Sequence, residues 1–177
     1  MGLDQIRSEI DGIDEELQKL FLRRMALSLR VAETKKLTGA DVYVPKREQE
    51  VLNARAKGVS EELEPECRAF FGQMMEISRT YQYSKMTEGN EFLKELPKEE
   101  KTIEIRFFCP SGSRQLSVFI NAAALAGLNP EKVETERMEG GVRYSLLLSG
   151  DFSENLVRGV VLQILKENET AVLTSSV

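Results

Sequence analysis

The chain has 177 residues, 41% of them hydrophobic and 30% charged, enough for one sizeable core or two small ones in an ordinary soluble globular protein. Lys and Arg number 24 against 29 Asp and Glu, a net charge of -5; up to Met86 the counts are 14 and 15, beyond it 10 and 14, so no nucleic-acid partner is expected. Histidine is absent, which removes the commonest general base, the commonest zinc ligand and every Ser-His or Cys-His nucleophile pair. Cys67 and Cys109 fall in what should be different structural units, and no run resembles a secretion signal or a membrane span. A cytoplasmic protein with reduced thiols and no membrane contact is expected.

From Leu3 to about Leu37 apolar residues recur at heptad spacing, Leu3, Ile10, Leu17 and Val31 on one line and Ile6, Ile13, Leu20 and Leu27 on the other. This predicts a long helix ending near Gly39 that cannot be stable alone. Pro45 suits the first turn of a short second helix with Val51 and Leu52 inward, and Gly58 suits its stop. A third helix should run from about Pro65 to Lys85, burying Cys67, Phe70, Met74, Ile77 and Tyr81, with Phe71 and Met75 widening the stripe. Residues 87–101 lose the apolar period and read as a linker, after which strand and helix signals alternate over 102–177. The order there is strand, helix, strand, strand, helix, strand, which is ferredoxin-like. The fold class is therefore α plus α+β, with domains at 1–86 and 102–177.

Arg24 interrupts the first helix's seam. A buried guanidinium needs an anion, supplied either by the protein, with Glu48, Glu50 and Glu76 as candidates, or by a ligand. Lys35, 11 residues on, projects within about 20° of Arg24 and about 16 Å along the axis, so the two share a face. Arg7 lies about 25 Å from Arg24 and about 100° around, so one straight helix cannot bring both to one small ligand. If Arg7 belongs to the same site it must come from a second subunit; alone, it reads as a solvated surface arginine. Arg47 and Glu48 precede Val51 and Leu52 by four residues, and Ser78 and Gln82 form another four-residue pair, in each case with a polar contact in a bundle core as the plainer explanation.

Four cations, a carboxylate, a hydroxyl and an amide suit a small polyanion with carboxylate and ether or hydroxyl oxygens. The set lacks a nucleophile with its base, phosphate-binding glycines and a metal-ligand cluster, so neither metal nor cofactor is expected. Bond reorganisation within one bound molecule, helped by orientation and charge stabilisation, needs none of these. The runs LDQIRSEIDGIDEELQKLFLRR, VAETKK, PKREQEVL and EISRTYQ resemble the all-helical chorismate mutases of the AroQ class over roughly the first 86 residues. That resemblance implies the isomerase reaction converting chorismate to prephenate, in aromatic amino acid biosynthesis, by an intertwined helical homodimer. It implies Arg7 from the partner subunit, Arg24 and Ser78 on substrate carboxylates, Arg47 as a further cationic contact, Glu48 accepting the ring hydroxyl, and Lys35 and Gln82 donating to the ether oxygen. Val44 stands where some relatives carry an acidic residue.

The second domain is similar to ACT-type regulatory domains of prephenate dehydratases through its strand order, LSVFINAAALAGLNPEKVETER and VRYSLLLSG. The usual Pro-Gly-Ala-Leu loop is here Pro110, Ser111, Gly112 and Ser113, whereas Gly127 and Asn129 match the family's turn, where an aromatic amino acid effector would bind. Simple dimerisation without a ligand is the plainer reading of this domain. No dehydratase segment fits in 87–101, so prephenate dehydration is not expected. Isochorismate pyruvate lyase and a non-catalytic aromatic amino acid sensor are the alternative functions.

Overall fold

A computed structural model describes residues 2–176, and compactness divides the chain after Ala40. The first unit is one helix, α1 (Leu3–Thr38), closed by Gly39 in the left-handed region at φ 70°, whose N–H bonds the Lys35 carbonyl. A side chain would strain that backbone, so the glycine stops the helix where the sequence places it. Leu3, Ile6, Ile10, Ile13, Leu17, Leu20, Leu27 and Val31 are each between 41% and 61% exposed. The heptad seam is thus a continuous apolar face, larger than single surface residues explain.

The second unit begins at Asp41 and holds α2 (Pro45–Ala56), α3 (Glu64–Ser84), β1 (Glu100–Pro110), α4 (Gln115–Leu125), β2 (Asn129–Met138), β3 (Gly141–Asp151), α5 (Asn155–Glu167) and β4 (Val172–Ser176). The sheet order is β2-β3-β1-β4 with every neighbouring pair antiparallel, which is the ferredoxin-like arrangement expected from the element order. Along β1, Ile103, Ile105, Phe107 and Cys109 point into the core and alternate with more accessible residues, as a half-buried strand requires. They meet Leu146 and Leu148 of β3, Phe119, Ala122 and Ala123 of α4, and Val157, Val160, Val161 and Ile164 of α5. Among the described residues, no helix is long and apolar enough to cross a membrane.

One expectation needs correction. The buried residues of α3 are Met75, Ser78, Arg79, Thr80, Gln82, Tyr83 and Ser84, all in its C-terminal half, whereas Phe70 is 49% exposed and Cys67, Met74, Ile77 and Tyr81 are half-buried. The cause is packing: α3 contacts α2 and lies along α5, and Arg79, Thr80 and Ser84 meet Glu167, Gln163 and Gly159 of α5. At Gly159 of α5, an added Cβ would stand 2.6 Å from both the N and Cα of Ser84, so at this point the two backbones approach too closely for a side chain between them. The segment 87–101 packs on the second unit. Leu93 and Leu96 are buried in the core, a short 3-10 turn spans Glu91–Leu93, and Arg158 of α5 donates to the carbonyls of Pro97 and Phe152, each at 3.2 Å. Consequently α2 and α3 belong to the same compact body as the sheet.

Gly159 gives a test in which two effects oppose. Helix propensity favours Ala over Gly by about 1 kcal/mol, but a Cβ driven into backbone costs about 1–3 kcal/mol, with no flexible atom to yield. Gly159→Ala should therefore lower the urea unfolding midpoint; a raised midpoint would mean that the α3–α5 contact is looser than described.

Candidate functional site

Arg7, Arg24 and Lys35 lie on α1, which is unbroken between them, so the axial and angular spacings expected from sequence hold. Arg7 is exposed and lies 3.5 Å from Asp4, one turn away. Such an exposed pair contributes little to stability.

The remaining candidates belong to the second unit. Val44 is the N-cap of α2, and its carbonyl accepts from the Glu48 N–H at 3.1 Å, so its backbone starts the helix whatever its side chain. Glu48, in the first turn, has a side chain 24% exposed and is bonded through Oε1 by Nη1 of Arg79. Arg47 differs: its side chain is 71% exposed and pairs with Glu50 at 3.3 Å on its own helix. The four-residue spacing put both on an inward side, but Val51 and Leu52 are themselves only partly covered, and Arg47 falls on the open edge of that face. Ser78 and Gln82 are both buried one turn apart on α3, with the Ser78 hydroxyl donating to the Met74 carbonyl at 2.8 Å. The structure thus brings Glu48 against the α3 segment that carries Ser78 and Gln82, and leaves Arg47 outside.

Sequence reasoning missed two residues at this junction. Arg79, its side chain 6% exposed, holds Glu48 with Nη1 and donates from Nε to Oε1 of Glu167 at 2.8 Å. Glu167, 3% exposed, ends α5 and also accepts from Gln163 Nε2 at 3.2 Å, while Gln163 Oε1 accepts from the Thr80 hydroxyl at 2.8 Å. The Tyr43 ring lies 4.7 Å from the guanidinium carbon. Burial opposes charge on Arg79, but Glu167 and Glu48 outweigh it and raise its pKa. Burial likewise raises the Glu167 carboxyl, to about 7, because the guanidinium that lowers it is shared with Glu48. Glu76, half-buried nearby, is pushed upward by burial as well.

The missed signal was available. Val160, Gln163, Ile164 and Glu167 stand at i, i+3, i+4 and i+7 of α5, so the two polar members, Gln163 and Glu167, sit where the apolar period of the helix calls for core residues. This is the same anomaly that singles out Arg24 on the first helix.

In the sheet region, Gly127 follows α4, and Asn129 opens β2 opposite Ser149. The Pro110, Ser111, Gly112 and Ser113 loop lies at the other end, tied by the Ser111 N–H to the Gly140 carbonyl at 2.8 Å. Ser149 pairs with Thr102, eight residues from Pro110 on β1, so the two segments stand about 25 Å apart along the sheet. One chain does not bring them together around a small ligand. Two open grooves of about 380 and 510 Å³ flank α3, one lined by residues of α3 and α4, the other by residues of the turn after α3 and the start of α5. Neither is lined by Arg47, Glu48, Ser78 or Gln82.

Residues 6–83, less than half of the chain, match the family described as chorismate mutase type II, over the segment from α1 to α3. Shorter stretches match curated proteins. A T-protein of Haemophilus influenzae is 43% identical over 54 residues, a bifunctional chorismate mutase/prephenate dehydratase of Aquifex aeolicus is 41% identical over 50, and a T-protein of Enterobacter agglomerans is 38% identical over 55. These stretches are 30%, 28% and 31% of this chain and span only 14%, 14% and 15% of the relatives' own lengths.

The raised Glu167 pKa makes stability depend on pH. In an unfolded chain a Glu titrates near 4.3, so the favourable contribution of Glu167 is complete below that value and is lost as pH rises through about 7. Unfolding free energy should fall by roughly 2–3 kcal/mol between pH 5 and 8, and Glu167→Gln, which keeps an acceptor but carries no charge, should remove most of that slope. Glu76 contributes in the same direction, so a residue of slope remains. An unchanged slope in the variant would contradict the assignment.

Proposed function

We propose that residues 1–86 form a chorismate mutase domain that converts chorismate to prephenate by an intramolecular Claisen rearrangement, acting in phenylalanine and tyrosine biosynthesis in the cytoplasm. The observation that carries this reading is the family match over residues 6–83, a stretch that contains all seven polar side chains named from sequence. The working unit is a homodimer. Its basis is the exposed heptad face of α1, which a second copy of the same helix would cover. Residues 102–177 act as an ACT-like regulatory or dimerisation domain, joined through 87–101, with an aromatic amino acid as effector at Gly127 and Asn129.

Each site residue has a role that follows from its chemistry. Arg7, contributed across the dimer, and Arg24 form charge-assisted bonds to the substrate carboxylates, with Ser78 as a hydroxyl donor and Arg47 as an outer cationic contact. Glu48 accepts the ring hydroxyl. Lys35 and Gln82 donate to the ether oxygen, which gains negative charge as its carbon–oxygen bond stretches. A millionfold acceleration needs about 8 kcal/mol, and a preorganised donor supplies roughly 3–4, so two donors with conformational restraint suffice. No nucleophile, metal or cofactor enters the reaction.

Incubation with chorismate should yield prephenate. Free pyruvate from isochorismate would indicate the lyase reaction instead, and no turnover beyond the uncatalysed rate would leave an amino acid sensor. Arg24→Ala and Lys35→Ala should each lose several orders of magnitude in kcat/KM with the fold retained; wild-type-like rates would remove the assignment. Mixed dimers of Arg7→Ala and Gln82→Ala chains should regain part of the activity, because one hybrid site then holds both residues. No recovery in verified heterodimers would count against shared sites.

A further inference from the structure

Resting on that reading of Glu48, we propose that Arg79 is a positioning residue that fixes the Glu48 carboxylate, and that Glu167, at the end of the last helix of the α+β region, is the anchor that fixes Arg79.

The geometry is specific. Arg79 spans from α2 to α5 with separate donors, Nη1 to Glu48 and Nε to Glu167, so the planar guanidinium is held at two points and cannot rotate without breaking one bond. Tyr43 covers its face, and Gln163 braces Glu167 from within α5 while Thr80 of α3 braces Gln163. The main chain of Glu167 is fixed as well: its carbonyl accepts from Gln115 Nε2 of α4 at 2.8 Å, and Gln115 Oε1 accepts from Asn168 at 2.9 Å. Glu48 stands at the edge of this buried assembly, the one carboxylate of the pair with substantial solvent access. A carboxylate on the first turn of a short helix would otherwise sample several rotamers, and each would place the acceptor differently for a substrate hydroxyl. The three-helix segment therefore does not fix this group by itself; a residue some 120 positions downstream of Glu48 takes part.

The test uses the full chain and a chorismate assay. Arg79→Lys keeps the charge but loses the two-directional fork, and should lower kcat/KM about tenfold or more, the usual effect of losing a bond to a charged group. Because that variant could lose its fold, a second replaces the buried pair with apolar side chains, Arg79→Met with Glu167→Leu; such exchanges often leave stability intact or improved. It should unfold at a temperature near that of the parent and still show the tenfold loss, since Glu48 has lost its holder. In a Glu48→Ala background, both changes should alter kcat/KM by less than about threefold, because nothing is left to position. Recovered activity in the stable apolar variant, or losses that multiply with Glu48→Ala, would make Arg79 a structural residue only. A parent chain without turnover would overturn the functional reading and the inference together, whereas turnover with multiplying losses overturns the inference alone.

Discussion

One buried guanidinium lies between two carboxylates where α2, α3 and α5 meet. Arg79 cannot be buried uncompensated, and neither can Glu167, so each secures the other, and Glu48 attaches at the rim. Burial raises the Glu167 carboxyl, Arg79 opposes that rise, and the nearby Glu48 charge adds to it, so the group titrates at about 7 rather than in the usual carboxylate range. A buried ion pair is weak evidence for stability, since apolar replacements often do as well. Here it links α3 to α2 and α5, and the backbone approach of Gly159 to Ser84 sets the spacing between α3 and α5. The position of Glu48, and hence any chemistry assigned to it, follows from an element that belongs to the α+β sheet structure.

The first helix has the opposite problem. α1 presents a long apolar face in which eight seam residues remain about half exposed, and Arg24 lies on that seam. Full burial of such a side chain is worth roughly 1.5–3 kcal/mol, and covering the half still exposed is worth about half of that at each position, a substantial driving force over eight residues. A dimer through α1 would cover the face and bring Arg7, too far along its own helix from Arg24, within reach of a shared site. The same seam would therefore serve both the proposed dimer and the geometry of the proposed substrate contacts.

Much of the architecture was legible in the residues because local signals and tertiary packing agree. Pro45 begins α2, Gly39 ends α1, and the element order over 102–177 gives the β2-β3-β1-β4 sheet. Where the sequence misled, packing overrode pattern. The apolar stripe of α3 predicted burial of Phe70, yet the buried side lies in the C-terminal half, where Ser78, Arg79, Thr80, Tyr83 and Ser84 are covered and the backbone at Ser84 meets Gly159 of α5. Arg47 and Glu48 are adjacent and looked equivalent by spacing; only the position of Arg79 separates them. The Arg24 anomaly was recognisable because a heptad seam makes a charge conspicuous. Arg79 and Glu167 belong to shorter, less regular patterns, and their pairing across 88 residues has no local trace.

The account depends on a charged site shaped for the rearranging substrate rather than for its ground state. The most direct measurement is calorimetric binding of a stable bicyclic ether dicarboxylate with the geometry of the cyclic transition state, compared with prephenate, to the intact protein. The account predicts at least about a hundredfold tighter binding of the mimic, with the preference abolished by Lys35→Ala. Equal affinities, or a preference that survives loss of Lys35, would contradict it.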